Sequence, residues 1–137
     1  FLLSERATDP LKVLDGKEMP AAPRLIMNTE IFYFPNWLKG FRVSAEWQLL
    51  TPWYLNQINS VKYNDKGFLG AKGVSILNVR MGYEWKGLEV FLNILNASNE
   101  LYAYNVSRGN GATDRINYSP AAPATIGFGI YYKFTAK

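Results

Sequence analysis

The 137-residue sequence contains no cysteine and no histidine. The absence of cysteine excludes a disulfide framework and a thiolate metal site. The absence of histidine removes the commonest general base and the commonest metal ligand. Any acid–base chemistry is therefore left to carboxylates, lysine, tyrosine and serine.

The sequence also lacks a long apolar run and a strong charge bias. No run approaches the ~18 apolar residues that a membrane helix needs, and the mean hydropathy is −0.13. The net charge is +4, and because the basic residues are scattered we predict no nucleic-acid partner. There is neither a signal peptide nor an initiating Met, and residues 1–3 read as the end of a strand. We therefore expect the chain to be the C-terminal portion of a longer protein.

Five segments show the period-two alternation that is typical of β-strands. The clearest opens the stretch 88–102, where every second residue from Leu88 to Ile94 is apolar. The same pattern predicts strands at residues 24–34, 41–50, 74–85 and 125–134. The predicted fold class is therefore all-β.

One face of each predicted strand is almost purely apolar. The 24 positions on these faces carry no charge, and Thr29 is the one polar residue among them. They are Leu25, Met27, Thr29, Ile31, Tyr33, Phe41, Val43, Ala45, Trp47, Leu49, Leu77, Val79, Met81, Tyr83, Trp85, Leu88, Val90, Leu92, Ile94, Ile126, Phe128, Ile130, Tyr132 and Phe134. The opposite faces carry the charged and most of the polar side chains, together with a few apolar ones such as Phe32 and Phe91. One side of the predicted sheet therefore suits lipid and the other suits water.

The connections between these strands alternate in length. Residues 4–23, 51–73 and 96–124 are predicted as long loops, whereas 35–40 and 86–87 are short turns. A soluble sandwich has no reason to sort its loops in this way, but outer-membrane barrels have short periplasmic turns and long extracellular loops. We predict an antiparallel transmembrane β-barrel segment of about five to six strands, with a periplasmic C-terminus.

Aromatic residues near the predicted strand ends fit the two membrane–water interfaces. The interface candidates are Tyr33, Trp37, Trp53, Trp85, Tyr132 and Phe134. Trp47 fits badly, because it would sit near mid-membrane. Asn96 would continue the apolar face of its strand unless a bulge resets the register there.

The order and spacing of several motifs resemble the last third of TonB-dependent outer-membrane receptors. The motifs are Pro20-Ala-Ala-Pro23, Glu46-Trp47, Asn78-Val79-Arg80, Asn93-Ile94-Leu95-Asn96 with Tyr102, and Pro120-Ala-Ala-Pro123 before the last strand. The resemblance covers residues 16–134. One departure is that Thr135-Ala136-Lys137 follows Phe134, whereas such barrels usually end on an aromatic residue.

The resemblance implies a 22-stranded barrel that holds a plug domain. It also implies TonB-driven uptake of a scarce nutrient such as a ferric siderophore, cobalamin, haem or a glycan. The partners would be outer-membrane lipid, the ligand, the inner-membrane TonB complex, and an N-terminal barrel and plug that lie upstream of this chain. Residues 1–137 would be the C-terminal part of the barrel, in a bacterial outer membrane.

Two groups of residues are candidates for contact with a plug or a ligand. The charged positions predicted to face the lumen are Glu30, Arg42, Glu46, Arg80, Glu84, Glu89 and Lys133. A solvated wall whose ions pair across strands is the favoured interpretation of that group. The loop candidates are Tyr54, Asn59, Tyr63, Asn64, Tyr104, Asn105, Arg108, Asn110 and Arg115. Facing the medium, they suit capture of a polar or anionic chelate, although Asn is also an ordinary turn former.

The prediction is a transport protein with no catalytic residues, no cofactor and no metal site. One alternative is a porin or adhesin barrel without a plug. Another is a soluble β-sandwich or lipocalin-like binding module, whose outer faces should carry Lys and Glu. An enzyme ranks last: paired carboxylates such as Glu30 and Glu46 would suggest glycoside hydrolysis, but the sequence shows no aligned acid–base cleft.

Overall fold

The computed structural model describes residues 14–134, and the protein is all-β there, as predicted. Its nine strands are β1 (Ile26–Tyr33), β2 (Phe41–Leu50), β3 (Trp53–Tyr54), β4 (Lys62–Tyr63), β5 (Val74–Trp85), β6 (Leu88–Leu95), β7 (Ala103–Arg108), β8 (Ile116–Pro120) and β9 (Thr125–Tyr132). One turn of 3₁₀ helix spans Phe68–Gly70. No helix within this range is long and apolar enough to cross a membrane. The strand predicted at residues 1–3 lies outside the described part.

Five strands form one sheet in the order β1-β2-β5-β6-β9, and they are the five that the alternation predicts. β5 pairs antiparallel with β6, and β6 pairs antiparallel with β9. β2 and β5 have the predicted bounds. β1 begins later than predicted, because the N–H of Leu25 donates to Oγ1 of Thr51 (3.0 Å) and its carbonyl accepts from the Thr51 N–H.

The register brings the predicted apolar faces together. Residues directly opposite each other in antiparallel strands point to the same side of a sheet. In the central row Met81 lies opposite Leu92, and Leu92 lies opposite Phe128. The last row joins Trp85, Leu88 and Tyr132 in the same way. The apolar residues of β5, β6 and β9 therefore share one face.

This apolar face is exposed along β9 and half-buried at most positions of β5 and β6. Ile126, Phe128 and Ile130 expose 69%, 79% and 66% of their surface. Large contiguous apolar patches are rare on soluble monomers and mark surfaces that contact a partner or a membrane. The buried hydrophobic side chains of the described chain are Trp53, Leu55, Tyr63, Val74, Ile76, Ala103 and Val106, mostly in and beside the long connections.

The turn between β5 and β6 fixes their register. Lys86 and Gly87 both have positive φ (47° and 83°). Two such residues form the type I′ turn, whose twist matches that of a hairpin. The predicted two-residue turn is therefore present, and it places Trp85 opposite Leu88.

The turn between β1 and β2 also needs glycine. Gly40 has a φ of 87°, and a Cβ atom there would collide with the carbonyl oxygen of Glu84. The Gly40 carbonyl accepts from the N–H of Glu84 at 2.9 Å. Only a residue without a side chain allows this close approach of the two backbones.

Two of the predicted long loops contain additional strands, which corrects their assignment as loops. β3 pairs with β4, and β7 pairs with β8, each as a separate antiparallel pair. These strands have two to six residues and lie among Asn, Gly and Ser. The two-residue strands β3 and β4 are too short to display a period, and in β7 and β8 the turn-forming composition outweighed the alternation.

The described chain divides into two compact units. The sheet unit comprises residues 27–48, 76–100 and 122–134. The loop unit comprises residues 14–26, 49–75 and 101–121. Most of each strand of the five-stranded sheet lies in the sheet unit, whereas the two short strand pairs lie in the loop unit.

Asn96 ends β6 rather than continuing its apolar face, so no bulge is needed there. It is buried and has a φ of 50°, a left-handed conformation that Asn tolerates. Its amide nitrogen donates to the carbonyls of Glu100 (2.9 Å) and Ala122 (3.3 Å), and its Oδ1 accepts from the Glu100 N–H (2.9 Å). Its own N–H donates to Oδ1 of the buried Asn78 (2.9 Å). One amide therefore ties the end of a strand to the following loop.

Asn96→Ala should destabilise the protein strongly. The change leaves backbone groups of Glu100 and Ala122 without their side-chain partner and puts Ala in a left-handed conformation, so we expect a loss of about 2 kcal/mol. Urea unfolding of the complete protein measures the free energy. The control Asn105→Ala, at an exposed position of β7, should cost less than about 0.5 kcal/mol. Equal losses in the two variants would contradict the anchoring role.

Candidate functional site

An ion cluster occupies the polar face of the five-stranded sheet. Arg80 on β5 contacts two carboxylates, with Nη1 3.7 Å from Oε1 of Glu30 and Nη2 3.3 Å from Oε2 of Glu46. Glu46 also accepts from Nδ2 of Asn78 (3.2 Å) and Nε2 of Gln48 (3.1 Å). The negative charge of Glu46 is therefore balanced by Arg80, and its oxygens are hydrogen-bonded by other side chains of the same sheet.

A second ion pair crosses the sheet above a glycine. Arg42 on β2 pairs with Glu89 on β6, although β5 lies between these strands. A Cβ atom at Gly82 of β5 would stand 2.9 Å from Cζ of Arg42. Because Gly82 has no side chain, the Arg42 guanidinium can pass over β5 and reach Glu89.

A glycine also makes room for a long side chain between β6 and β9. Gly129 of β9 lies opposite Phe91 of β6, and a Cβ atom at Gly129 would collide with the Phe91 ring. The ring therefore lies over the glycine. Glycine inside a strand often marks such a close approach.

A cleft of about 350 Å³ opens on this face. Its charged and polar lining includes Glu30, Arg42, Arg80, Glu89 and Asn93, and its apolar lining includes Phe32 and Phe91. Because each cation already has a carboxylate within 4 Å, the cleft presents paired ions to solvent. Exposed pairs of this kind contribute about 0–1 kcal/mol each to stability.

The structure brings five of the seven predicted polar-face charges into these pairs. Glu84 is outside them because it lies opposite another carboxylate, Glu89, in the register of β5 and β6, and Lys133 lies just beyond the end of β9. None of the salt bridges found between residues 14 and 134 includes Glu84. That this face borders a barrel lumen stays a prediction.

Trp53 and Tyr63 form a buried stack in the loop unit. Their ring centroids are 4.7 Å apart, and both side chains are about 95% buried. The Tyr63 hydroxyl accepts a hydrogen bond from the N–H of Ala103 (3.4 Å). Trp53 was predicted at a membrane interface and Tyr63 as a loop residue facing the medium; the structure buries both side chains within the loop unit, and the interface role of Trp53 stays a prediction. Stacking removes the apolar faces of both rings from water, which stabilises the pair.

Tyr54 and Asn59, two further ligand candidates, are also engaged inside the loop unit. Nζ of Lys62 lies 4.8 Å from the centroid of the Tyr54 ring, a cation–π contact. Asn59 Nδ2 donates to the carbonyl of Glu18 (2.9 Å), and Oδ1 accepts from the Glu18 N–H (2.6 Å). The Asn59 amide therefore fixes a neighbouring segment in place.

Arg108 stabilises the tip of the β7–β8 hairpin. Its Nε donates to the carbonyl of Asp114 (2.9 Å) and its Nη2 to the carbonyl of Ala112 (3.0 Å). Its backbone N–H donates to the carbonyl of Leu55 (3.2 Å). Asn110 beside it donates from Nδ2 to Oε1 of Gln57 (3.4 Å). Ligand contact by the Arg108 guanidinium would require it to leave two carbonyls.

Four of the nine loop candidates remain at the surface. They are Asn64, Tyr104, Asn105 and Arg115, all of them exposed. These side chains have the amide, phenol and guanidinium groups that suit a polar or anionic ligand.

A tyrosine-lined cleft of about 210 Å³ lies in the loop unit. Its lining includes Tyr63, Asp65, Leu101, Tyr102, Tyr118 and Pro120. Asp65, Tyr102 and Tyr118 were not among the predicted ligand residues. The β7–β8 register, which places Ala103 opposite Pro120, brings these distant segments together, and no local sequence signal reveals it. Aromatic faces beside one carboxylate suit an apolar ligand with a cationic group.

Burial raises the pKa of the Tyr63 phenol above its ordinary value of 10.0. The hydrogen bond from the Ala103 backbone acts in the opposite direction, and the nearby Asp65 carboxylate adds to the increase. Ionising a phenol among apolar rings is unfavourable, because the charge loses its hydration. Tyr63 therefore acts as a neutral packing group.

The remaining interface aromatics are exposed in the sheet unit. They are Tyr33, Trp37, Trp85, Tyr132 and Phe134. Trp47, which fits a mid-membrane position badly, is half-buried in β2.

No group of three or more acidic side chains that could hold a metal ion occurs within residues 14–134. Comparison with protein-family models, with curated proteins and with solved structures found no match for this chain. Only the geometry and chemistry of the chain itself bear on its function.

The raised pKa of the buried Tyr63 phenol should make the free energy of unfolding depend on pH in the alkaline range. Because the folded state holds the Tyr63 proton more tightly than the unfolded chain, its stabilising effect is complete below about pH 10 and is lost as the pH rises through the raised pKa. Tyr63→Phe should cost about 1 kcal/mol at neutral pH, where the Ala103 hydrogen bond is lost. It should also flatten the decline of stability above about pH 10.

Urea unfolding at a series of alkaline pH values measures both effects. Tyr104→Phe, at an exposed phenol of the same unit, is the matched control and should follow the wild-type curve. A Tyr63→Phe curve that runs parallel to the wild-type curve above pH 10 would contradict the assignment.

Proposed function

We propose that this chain forms part of the wall and the extracellular loops of a TonB-dependent receptor in a bacterial outer membrane. The observation that carries the proposal is the two-sided sheet. One face exposes uncharged apolar side chains such as Phe128 and Ile130, and the other holds the ion pairs of Arg42 and Arg80. Lipid on one side and water on the other would satisfy both faces.

The energetics favour lipid contact over water for the apolar face. Removing apolar surface from water is worth roughly 25 cal/mol per Å². The exposed rings and aliphatic side chains of β9 would recover this free energy in hydrocarbon. The polar face would not, because unsolvated ions are costly even when they are paired. The preference of each face supports a sheet that separates lipid from water.

The edges of the sheet require further strands. β1 and β9 are its edge strands, and an unpaired backbone edge in hydrocarbon costs several kcal/mol per group. About eight strands are the smallest number that closes a membrane barrel, whereas the family resemblance implies 22. The proposal therefore includes additional strands, from the same protein or from other subunits.

The proposed orientation follows from the connections. The short turns at residues 35–40 and 86–87 would be periplasmic, and the long connections at residues 51–73 and 96–124 would be extracellular. The four surface candidates in these connections would meet a polar or anionic ligand such as a ferric siderophore. Energy would come from the inner-membrane TonB complex through a plug domain.

Neighbouring positions on β9 give a direct test of the membrane-facing surface. Phe128 projects from the apolar face, while Gly127 faces the other way and has no atom within 4 Å of a Cβ placed on it. In a bilayer, Phe128→Arg should cost about 2–4 kcal/mol near the midplane, and Gly127→Arg should cost far less. Urea unfolding of the complete protein in lipid vesicles measures the two losses.

The two arginine variants have equal charge and lie one residue apart, so each controls for the other. In a soluble binding module, Phe128→Arg would replace an exposed ring by a charge and would be neutral or stabilising. A small effect of Phe128→Arg together with solubility of the complete protein without detergent would overturn the proposal.

Transport is tested in cells. Deleting the gene should abolish energy-dependent accumulation of the labelled ligand, with ferric siderophores as the first probes, and the complete gene should restore it. A protonophore should block accumulation in the complemented strain, because TonB-driven uptake needs the inner-membrane proton gradient. Accumulation that continues unchanged with the protonophore would instead indicate a passive barrel without a plug.

A further inference from the structure

Three lysines gather at the end of the five-stranded sheet that carries its short turns, here called the turn end. The Gly40 carbonyl accepts from the Glu84 N–H (2.9 Å), so the first short turn lies beside the end of β5. The Gly87 carbonyl accepts from the Lys133 N–H (2.9 Å), so the end of β9 lies beside the second short turn. The lysines at this end are Lys39, Lys86 and Lys133, all of them exposed.

Exposed aromatic rings accompany the lysines at the turn end. Trp37 and Phe134 expose 80% and 86% of their surface. Nζ of Lys86 lies 5.0 Å from the centroid of the Trp85 ring, a cation–π contact. Trp85 and Tyr132 also belong to the last row of the apolar face. The lysines therefore stand where the apolar face ends.

The charge of the turn end is positive. No salt bridge in the described part of the chain uses any of the three lysines. Of the two carboxylates near them, Glu89 pairs with Arg42, which leaves Glu84 against three ammonium groups. An anion that approaches this end meets a net positive surface.

We propose that the turn end binds the head groups of anionic phospholipids, with the ammonium groups of Lys39, Lys86 and Lys133 at the level of the lipid phosphates. Aromatic rings prefer the water interface of a bilayer, and lysine stems extend from apolar surface to place their charge in the head-group layer. Juxtamembrane basic residues attract anionic lipid in this way. The inference rests on the proposed membrane function and adds the lipid class that the turn end selects.

The continuity with the apolar face favours lipid over a soluble anionic partner. A nucleic acid or an acidic protein would meet the lysines but would leave the rings of Trp37 and Phe134 largely in water. A phospholipid satisfies both groups, because its phosphate faces the ammonium groups while its acyl chains cover the apolar rows. One lipid monolayer therefore accounts for both features of this surface.

The test measures which lipid associates with the complete protein in phosphatidylcholine bilayers. Trace amounts of spin-labelled phosphatidylglycerol or phosphatidylcholine report the motionally restricted lipid at the protein surface. We expect phosphatidylglycerol to associate roughly three-fold or more tightly than phosphatidylcholine, with the preference weakening at high salt. The triple variant K39Q/K86Q/K133Q should bring the ratio towards one.

The matched control is K62Q/K66Q/K72Q, which removes three exposed lysines of the loop unit and should keep the wild-type ratio. A wild-type ratio near one, or an equal loss in both triple variants, would overturn the inference. If neither labelled lipid shows a restricted component, the protein is not embedded in the bilayer and the proposed function fails as well. Restricted lipid without a preference would overturn the lipid selectivity alone.

Discussion

The strict alternation of side chains across the five-stranded sheet is the constraint on which the other features depend. A slip of one residue between β5 and β6 would move Leu92 and its neighbours to the polar face and Asn93 to the apolar face. The Lys86-Gly87 turn prevents this, because two residues with positive φ allow one register. Both the uninterrupted apolar surface and the pairing of charges across strands follow from that register.

Glycine residues on the polar face make room for the long side chains of neighbouring strands. Arg42 and Glu89 lie on strands separated by β5, and a side chain at Gly82 would occupy the space that the guanidinium needs. Gly129 makes room for the Phe91 ring in the same manner. The two glycines therefore allow Arg42 and Phe91 to extend over the neighbouring strand. Glycine destabilises a strand, and the ion pair and the ring packing offset this cost.

The five strands of eight to twelve residues show four or more alternations each, which is enough to predict them from the sequence. The predicted bounds of β2 and β5 are correct at both ends. β7 and β8 are shorter and rich in Asn and Ser, so local composition outweighed their alternation. The burial of Trp53 and Tyr63 depends on contacts between residues far apart in the chain. Asn96 lies in the connection after β6, as predicted, but its hydrogen bonds to Asn78 and Ala122 join residues too far apart in the chain to be predicted from local sequence.

The loop unit differs from the sheet unit in how its polar groups are used. Asn59, Arg108 and the Tyr63 hydroxyl all bond to backbone groups of neighbouring segments. A side chain that holds a loop in shape gains rigidity but loses freedom to bind, because a ligand would first have to replace those bonds. Exposed residues such as Tyr104 and Arg115 could contact a ligand without breaking these bonds. A rigid frame with a few exposed polar and aromatic groups lowers the entropy lost when a ligand is captured, so the residues that shape the loops and those that would touch the ligand are expected to be different ones.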